Sequence, residues 1–233
     1  MSEEKEYVIC TSKDRSVCVA CEIDGKLNCR FDEDLVKCFR NRHIPYRTLQ
    51  LFVAGVTSFL IGVWWPFLLF SIILILNFTI IETRYLCRHC PFYEKEGGSL
   101  ECITLKGLPR LWKFDPSPMK TSDKIGMTLV GGFIDVFPIL WAGYSVWVLY
   151  SINAELLSII SMIGLTIVSI IAAGYLEEFI GKNYCKRCVN LSCMMNKVPK
   201  ELKDEFLQKN PEMLKIWESC GYVIGNMSTE KQR

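Results

Sequence analysis

The chain has 233 residues, of which 50% are hydrophobic and 22% are charged, and its formal net charge is +2 at pH 7. The apolar and charged residues occupy separate stretches, which excludes an ordinary soluble domain. A nearly balanced charge gives no indication of nucleic-acid binding, and we expect none.

These stretches predict an all-α, polytopic membrane protein with two transmembrane helical hairpins, giving four legs, and small Cys-rich cytoplasmic metal-binding elements. No cleavable signal peptide is expected, because no apolar run precedes the first cysteines. In chain order we predict a ribbon-like Cys-rich element (1–47), the first membrane hairpin (48–83), a Cys-containing loop (84–125), the second membrane hairpin (126–181), and a Cys-containing segment with amphipathic helices (182–233).

The amino-terminal element contains Asp24-Gly25, which is a strong signal for a two-residue β-turn. A hairpin at this turn would place Cys18, Cys21 and Cys29 together at the open end of a small ribbon. So small an element lacks a sufficient core, so bound metal would supply much of its stability. The alternative is a disordered tail with an incidental turn.

The first apolar run, Leu51 to Ile81, has 31 residues without a charge. As one helix it would be about 46 Å long, against a hydrocarbon core of about 30 Å. A hairpin broken near Gly62 and Pro66 is therefore favoured, and a single kinked span remains the alternative. The second leg, Pro66 to Ile81, would then measure only about 24 Å.

The basic residues predict the orientation of the legs, which we place at roughly 49–64, 66–81, 126–150 and 155–180. Nine lysines and arginines precede the first leg, eight lie between the second and third, and ten follow the fourth. Neither outer connection contains one. By the positive-inside rule both termini and all cysteines are cytoplasmic.

The cysteines form three triads, each a CxxC pair followed by a third cysteine. Their members are Cys18, Cys21 and Cys29; Cys87, Cys90 and Cys102; and Cys185, Cys188 and Cys193. Cytoplasmic thiols stay reduced, so metal coordination explains the pairs better than disulfides do. A CxxC turn directs two sulfurs at one ion.

How the ligands are divided between sites stays open. Cys10, Cys38 and Cys220 could complete three four-cysteine sites, and His89 could replace a sulfur. Alternatively, the pair at Cys87 could share a site with the pair at Cys185. Cys220 and Cys10 could also be small buried hydrophobes without a metal.

An internal repeat relates the two hairpins. Each is followed by an aromatic and basic CxxC segment, Arg84 to Cys90 in the first case and Lys182 to Cys188 in the second. Both repeats would enter and leave the membrane on the same face, so their CxxC turns would face one another. The alternative is a general resemblance between basic, aromatic helix ends.

Asp135 is the candidate intramembrane polar site. It lies in the third leg between Gly131-Gly132 and Pro138, about 13 Å from the start of that leg. A carboxylate within a span is a candidate functional group. The simpler interpretation is a structural hydrogen bond to hydroxyls on neighbouring legs, namely Thr57, Ser58, Thr166 or Ser169.

The carboxyl-terminal segment predicts two short helices, because Pro199 and Pro211 suit first turns and Gly221 suits a helix end. An apolar stripe on these helices favours packing over the metal segments or the membrane surface. Its members are Leu202, Phe206, Met213, Ile216 and Trp217.

The cofactor is an iron–sulfur cluster or zinc, and the spacings do not decide between them. One hypothesis is iron–sulfur electron transfer at the membrane. The other is a non-catalytic membrane scaffold with structural zinc sites. The expected partners are the lipid bilayer and a cytoplasmic protein. No catalytic motif identifies an enzyme, so catalysis stays open.

Overall fold

The computed structural model describes residues 9–94, 99–104 and 106–225. Helices dominate these residues, and the strands form one two-stranded sheet. The helices are α1 (Glu33–Ile61), α2 (Trp65–Leu76), α3 (Glu82–Tyr85), α4 (Thr121–Ser151), α5 (Leu156–Ile180), α6 (Lys200–Gln208) and α7 (Pro211–Ser219). The strands are β1 (Ser99–Glu101) and β2 (Lys106–Pro109).

Four helical stretches in the described residues are long and apolar enough to cross a membrane. They are Glu33–Ile61, Trp65–His89, Thr121–Ser151 and Leu156–Cys185. Large apolar side chains are exposed along all four, an arrangement that water disfavours and lipid accepts. The predicted mostly helical membrane protein with four candidate spanning helices is therefore confirmed at this level.

α1 begins earlier than the predicted first leg. Asp32 caps it, because its Oδ1 accepts hydrogen bonds from the backbone N–H groups of Asp34 (2.9 Å) and Leu35 (3.2 Å). Acidic residues in the first turn, including Glu33, also favour a helix start here. The last third of the segment predicted to be ribbon-like therefore belongs to a long helix.

The chain leaves α1 at a glycine-dependent turn. Gly62 has a φ of +71°, a conformation that glycine adopts readily. The N–H of Val63 donates to the carbonyl of Ser58 (3.0 Å), and the N–H of Gly62 donates to that of Phe59 (3.3 Å). These two bonds form a Schellman motif, which satisfies the last carbonyls of α1. Pro66 then occupies the first turn of α2.

α1 and α2 fold back on one another. Ala54 of α1 packs in a buried apolar group with Phe70 and Leu74 of α2 and Ile134 of α4. In a single helix Ala54 and Phe70 would lie about 24 Å apart, so this contact requires a reversal of the chain. A second buried group joins α1, α4 and α5.

The second stretch is longer than the sequence indicated. After α2, residues Asn77–Ile81 form a π-helical turn, and the helix continues into α3. The whole stretch from Trp65 to His89 has 25 residues. At about 1.5 Å per residue it reaches roughly 37 Å, so the predicted shortfall of the Pro66–Ile81 leg does not arise.

The chain divides into two compact units. The helical unit contains Lys37–Glu82 and Ile125–Ile180. The cysteine-rich unit contains the described residues of Met1–Val36, Thr83–Lys124 and Gly181–Arg233. Three segments that are far apart in sequence therefore fold together in the cysteine-rich unit.

The cysteine-rich unit combines short elements around a small core. β1 and β2 pair antiparallel, with Ser99 opposite Pro109 and Glu101 opposite Lys106. The short helices α6 and α7 lie where the proline pattern predicts them. Buried apolar side chains come from all three segments and include Ile23, Leu27, Leu100, Phe206 and Met213.

The predicted amino-terminal turn forms, but the ribbon around it does not extend. Gly25 has a φ of +74°, as a tight turn at Asp24-Gly25 requires. The described pairing beside this turn is an isolated bridge between Asp24 and Leu27. A 3-10 turn, Arg15–Cys18, ends at the first cysteine of the CxxC pair. Turns, and not strands, therefore position Cys18 and Cys21.

Candidate metal-binding thiol clusters and an intramembrane charge pair

Four cysteines of the amino-terminal segment line one cavity of about 230 Å³. We call Cys10, Cys18, Cys21 and Cys29 the amino-terminal thiol cluster. It contains the whole first triad predicted from the sequence and adds Cys10. Lys13 and Lys209 also line the cavity.

Local turns place the CxxC pair of this cluster. The Asp14 carboxylate accepts a hydrogen bond from the N–H of Ser16 (2.8 Å) and so starts the 3-10 turn. The N–H of Cys21 then donates to the carbonyl of Cys18 (3.0 Å). Both residues of this tight bend line the same cavity.

Arg30 binds the amino-terminal thiol cluster directly. Its Nε and Nη2 donate to Cys18 Sγ at 3.2 and 3.0 Å. Nη1 donates to the carbonyls of Thr11 (3.1 Å) and Lys13, and Nη2 also donates to that of Asp14 (3.0 Å). The guanidinium thus connects a cluster sulfur with the loop between Cys10 and Cys18.

Asn210 fixes Cys10 from the carboxyl-terminal segment. Its Oδ1 accepts from the Cys10 N–H at 2.7 Å, and its Nδ2 lies 3.4 Å from Cys10 Sγ. Nδ2 also donates to the carbonyl of Phe206 (2.7 Å), and Asn210 is buried. The separation of 200 residues between Cys10 and Asn210 hides this contact from the sequence.

The surroundings of Cys29 and Cys10 favour neutral thiols when no metal is bound. Burial raises the pKa of the Cys29 thiol to about 12, and the neighbouring thiolates of Cys10, Cys21 and Cys18 raise it further. Burial also raises the pKa of Cys10, although the Asn210 amide partly opposes this. A bound cation would have to displace these protons.

A second set of thiols joins the two CxxC segments that follow the hairpins. Burial raises the pKa of Cys90 well above its ordinary value, and the nearby thiolates of Cys188, Cys102 and Cys193 raise it further. We call these four residues the bridging thiol cluster. The structure thus brings together parts of the second and third triads, as the cross-chain partition of the sequence analysis allowed.

Each sulfur of the bridging thiol cluster contacts a polar group two residues further along the chain. Cys90 and Cys188 accept from the backbone N–H groups of Phe92 and Asn190. Cys193 Sγ accepts from the N–H of Met195 (3.4 Å), and Cys102 Sγ lies 3.4 Å from Thr104 Oγ1. Donors at this spacing orient and stabilise thiolate ligands in metal sites.

Cys87 and Cys185, the first cysteines of the second and third CxxC pairs, lie beside the bridging thiol cluster. The N–H of Cys90 donates to the carbonyl of Cys87 (2.9 Å), which closes a 3-10 turn. Cys185 is buried and raises the pKa of Cys188, whose value of about 12 is caused mainly by burial. Cys87 and Cys185 therefore remain candidate ligands.

No group of three or more His, Cys, Asp or Glu side chains within 9–94, 99–104 and 106–225 has a geometry that would hold a metal ion. Metal binding by either thiol cluster consequently stays a prediction. The donor types nonetheless suit the predicted groups, because thiolate sulfur is the ligand of structural zinc and of iron–sulfur clusters.

The remaining candidate ligands have other surroundings. Cys38 lies in the helical unit, where its Sγ accepts from Arg42 Nη1 (3.0 Å). Cys220 is exposed after α7. His89 is buried, and its Nδ1 lies 2.8 Å from the carbonyl oxygen of Ser117. His89 Nε2 lies 3.3 Å from Arg88 Nε, so both ring nitrogens have partners.

Asp135 forms an ion pair with Arg47 of α1, with Nη1 and Oδ1 2.7 Å apart. The same oxygen accepts from the Tyr46 hydroxyl (3.2 Å) and from Gln50 Nε2 (3.3 Å). These partners differ from the hydroxyl groups that the sequence analysis proposed. Arg47 was counted there as a residue preceding the first leg, but α1 extends through it.

The four hydroxyls proposed as partners of Asp135 are arranged otherwise. Ser58 Oγ accepts from Trp141 Nε1 (3.1 Å). Thr166 and Ser169 each donate to a backbone carbonyl one turn earlier in α5. Thr57 Oγ1 is buried without a described partner. The carboxylate is thus satisfied by one helix, α1, and not by several.

Pro138 explains why Gln50 reaches this position. Pro138 lies inside α4 and has no N–H, so the carbonyl of Ile134 four residues earlier loses its helical donor. Gln50 Nε2 donates to that carbonyl at 3.0 Å. Gln50 therefore donates both to the carbonyl of Ile134, which lacks its helical partner, and to the carboxylate of Asp135.

No family model, curated protein or solved structure matches this chain. Its function must therefore be inferred from the chemistry of its own residues.

Proposed function

We propose that this is a multi-pass membrane protein that transfers electrons through an iron–sulfur centre held by the amino-terminal thiol cluster. Both termini and all cysteines would lie in the cytoplasm. A soluble one-electron carrier would deliver one electron, which would pass on to an acceptor in the membrane. When bound, the iron–sulfur centre would supply the site that holds this electron.

The observation that carries the proposal is the volume of the cavity that the four cysteines line together with five other residues. Four thiolates around one zinc ion, each at about 2.3 Å, lie about 3.8 Å from one another and leave no empty space. The amino-terminal thiol cluster instead lines a cavity of about 230 Å³. That space suits a multinuclear centre with four cysteine ligands better than a single ion.

The distribution of charge supports the cytoplasmic placement. All 27 lysines and arginines lie outside the two predicted outer connections. The cytoplasm keeps thiols reduced and available as ligands. Labelling intact cells with a membrane-impermeant thiol reagent should leave every cysteine unmodified, and labelling of any CxxC pair from outside would exclude this topology.

Two lysines suggest the chemistry of the electron donor. Lys13 and Lys209 are exposed and line the cavity, where they outnumber one exposed carboxylate, that of Asp24. Positive side chains around a redox site attract an acidic partner and accelerate its encounter. We therefore expect an acidic one-electron carrier, whose electron transfer slows as salt concentration rises.

Purification without oxygen, followed by measurement of iron, sulfide and visible absorption, tests the function. The unchanged protein should contain iron and sulfide, and Cys18→Ser with Cys21→Ser should lose both. Cys220→Ser is the matched control, because Cys220 is exposed and belongs to neither thiol cluster. A colourless, iron-free protein with stoichiometric zinc would exclude the redox function.

A non-catalytic scaffold with structural zinc is the second candidate, and the bridging thiol cluster favours it. Each of its sulfurs contacts a polar group two residues further along the chain. This arrangement suits a structural zinc ion with four thiolate ligands and no open coordination position. Under this hypothesis the cysteine-rich unit recruits a partner without electron transfer. Loss of redox activity in the Cys18→Ser, Cys21→Ser protein, with its fold and partner binding unchanged, would argue against it.

A further inference from the structure

Arg30 differs from the other basic residues near the amino-terminal thiol cluster, because all five of its N–H donors are used. Two are directed at Cys18 Sγ and three at backbone carbonyls of residues 11, 13 and 14. Five donors are the full capacity of a guanidinium. Its position is therefore fixed on both sides, by the sulfur and by the loop.

The guanidinium brings a permanent positive charge to a site built from four thiols. It remains charged at any physiological pH. Lys13 and Lys209 line the same cavity, but neither has a described hydrogen bond to a sulfur. Among the described residues around the amino-terminal thiol cluster, Arg30 is consequently the cation that combines charge with direct bonds to a cluster sulfur.

We propose that Arg30 sets the reduction potential of the amino-terminal centre. The inference rests on the proposed function, since it requires a redox-active iron–sulfur centre at these thiols. Arg30 is a positioning residue in this role: it holds the Cys18 sulfur and stabilises negative charge there. Net charge and hydrogen bonds to the sulfurs are two of the factors that determine such potentials.

The direction of the effect follows from the charge change. On reduction the centre gains one electron from the acidic one-electron carrier, which is itself oxidised by one electron, and no proton is required. The added negative charge is shared with the thiolate ligands. Two N–H donors on Cys18 Sγ bind the more negative form more strongly, so Arg30 raises the potential.

The test compares Arg30→Gln with Arg30→Lys and Lys13→Gln in the full-length protein, by redox titration monitored by visible absorption. Arg30→Gln should make reduction about tenfold less favourable, which is about 59 mV for one electron. Lys13→Gln removes an equal charge from the cavity that the four cysteines line, without breaking a described bond to sulfur, so its potential should change less. Arg30→Lys should lie between Arg30→Gln and the unchanged protein.

The possible outcomes separate this inference from the proposed function. An unchanged potential in Arg30→Gln with its iron retained would overturn the role of Arg30 alone. Equal shifts in Arg30→Gln and Lys13→Gln would overturn it too. They would indicate that the potential depends on the overall charge near the centre and not on the hydrogen bonds from Arg30 to Cys18. Loss of iron from both Arg30 variants would assign Arg30 to assembly instead. An unchanged protein without iron would reject the proposed function itself.

Discussion

The two thiol clusters use the same ligand atom but are built differently. The amino-terminal cluster comes from a single stretch, residues 10–29; its four cysteines line one cavity, and Arg30 bonds the Cys18 sulfur. The bridging cluster comes from residues 90–102 and 188–193, and its sulfurs contact local donors. A single stretch can carry a cofactor without joining distant segments, whereas the bridging cluster connects the chain after both hairpins. We therefore propose electron transfer for the first and structural cross-linking for the second.

The largest expected effect separates these two roles by stability. Cys188→Ser should destabilise the cysteine-rich unit by about 10 kcal/mol, the scale of a structural zinc site, which exceeds the stability of many domains. Cys18→Ser should leave that unit folded, because its sequence-distant segments remain joined. Limited proteolysis of both variants in detergent measures the difference.

The outcome that contradicts this division is also simple. If Cys188→Ser resists protease as well as the unchanged protein while Cys18→Ser is degraded, the roles of the two clusters are reversed. Cys220→Ser again provides the control, since its side chain is exposed.

The helical unit supplies a comparison that is independent of metal. Asp135→Leu should destabilise it by about 3 kcal/mol, because the partly buried Arg47 guanidinium would lose its carboxylate. Arg47→Met combined with Asp135→Leu should recover much of that loss, since neither charge would then lie unpaired. Thermal unfolding in detergent measures both, and metal removal should not change the difference between them.

A double variant as unstable as Asp135→Leu alone would show that the pair does more than neutralise charge. Tyr46 and Gln50 would then be the next residues to test, because both bond the same carboxylate oxygen. Such a result would give the helical unit a polar site of its own.

The sequence was sufficient where the cause of structure is local. The long apolar runs predict four spanning helices, and Gly62 and Pro66 locate the first reversal. The start of α1 could also have been identified, because Asp32 is a good cap followed by acidic residues. The ribbon-like element predicted over 1–47 left no place for a helix start at Asp32.

The sequence was insufficient where two distant segments must dock. The contact of Asn210 with Cys10 depends on tertiary packing, and no local pattern encodes it. Asp135 illustrates the same difficulty, since its partner Arg47 lies on another helix. Pro138 leaves the carbonyl of Ile134 without its helical N–H donor. This was the one local sign in the sequence that a polar side chain must approach α4.

The pH dependence should be alike for both clusters without metal. Burial raises the pKa of Cys29 and of Cys188 to about 12, from an ordinary value of 9.0. Their neutral forms therefore favour the folded state, and this stability is complete below about pH 9 and lost as pH rises towards 12. Each pH unit above 9 should cost up to about 1.4 kcal/mol per thiol.

Bound metal should reverse the sign of this dependence. The thiols are then deprotonated in the folded state, and protons compete with the metal as pH falls. Thermal unfolding of metal-free and metal-loaded protein between about pH 7 and pH 10 distinguishes the two cases. Metal-free protein that gained stability with rising pH would disprove the assigned thiol environments.

The smallest expected effects come from two asparagines that support different clusters. Asn210 bonds the backbone and sulfur of Cys10, whereas Asn196 Nδ2 donates to the carbonyls of Cys188 and Asn190 at 2.9 Å each. Replacing either by alanine removes hydrogen bonds worth about 1 kcal/mol each, so metal affinity should fall about tenfold at one cluster only. Asn210→Ala should speed iron release to a chelator, and Asn196→Ala should speed zinc release. Each variant is the control for the other. If either variant released iron and zinc equally fast, the two clusters would act as a single site.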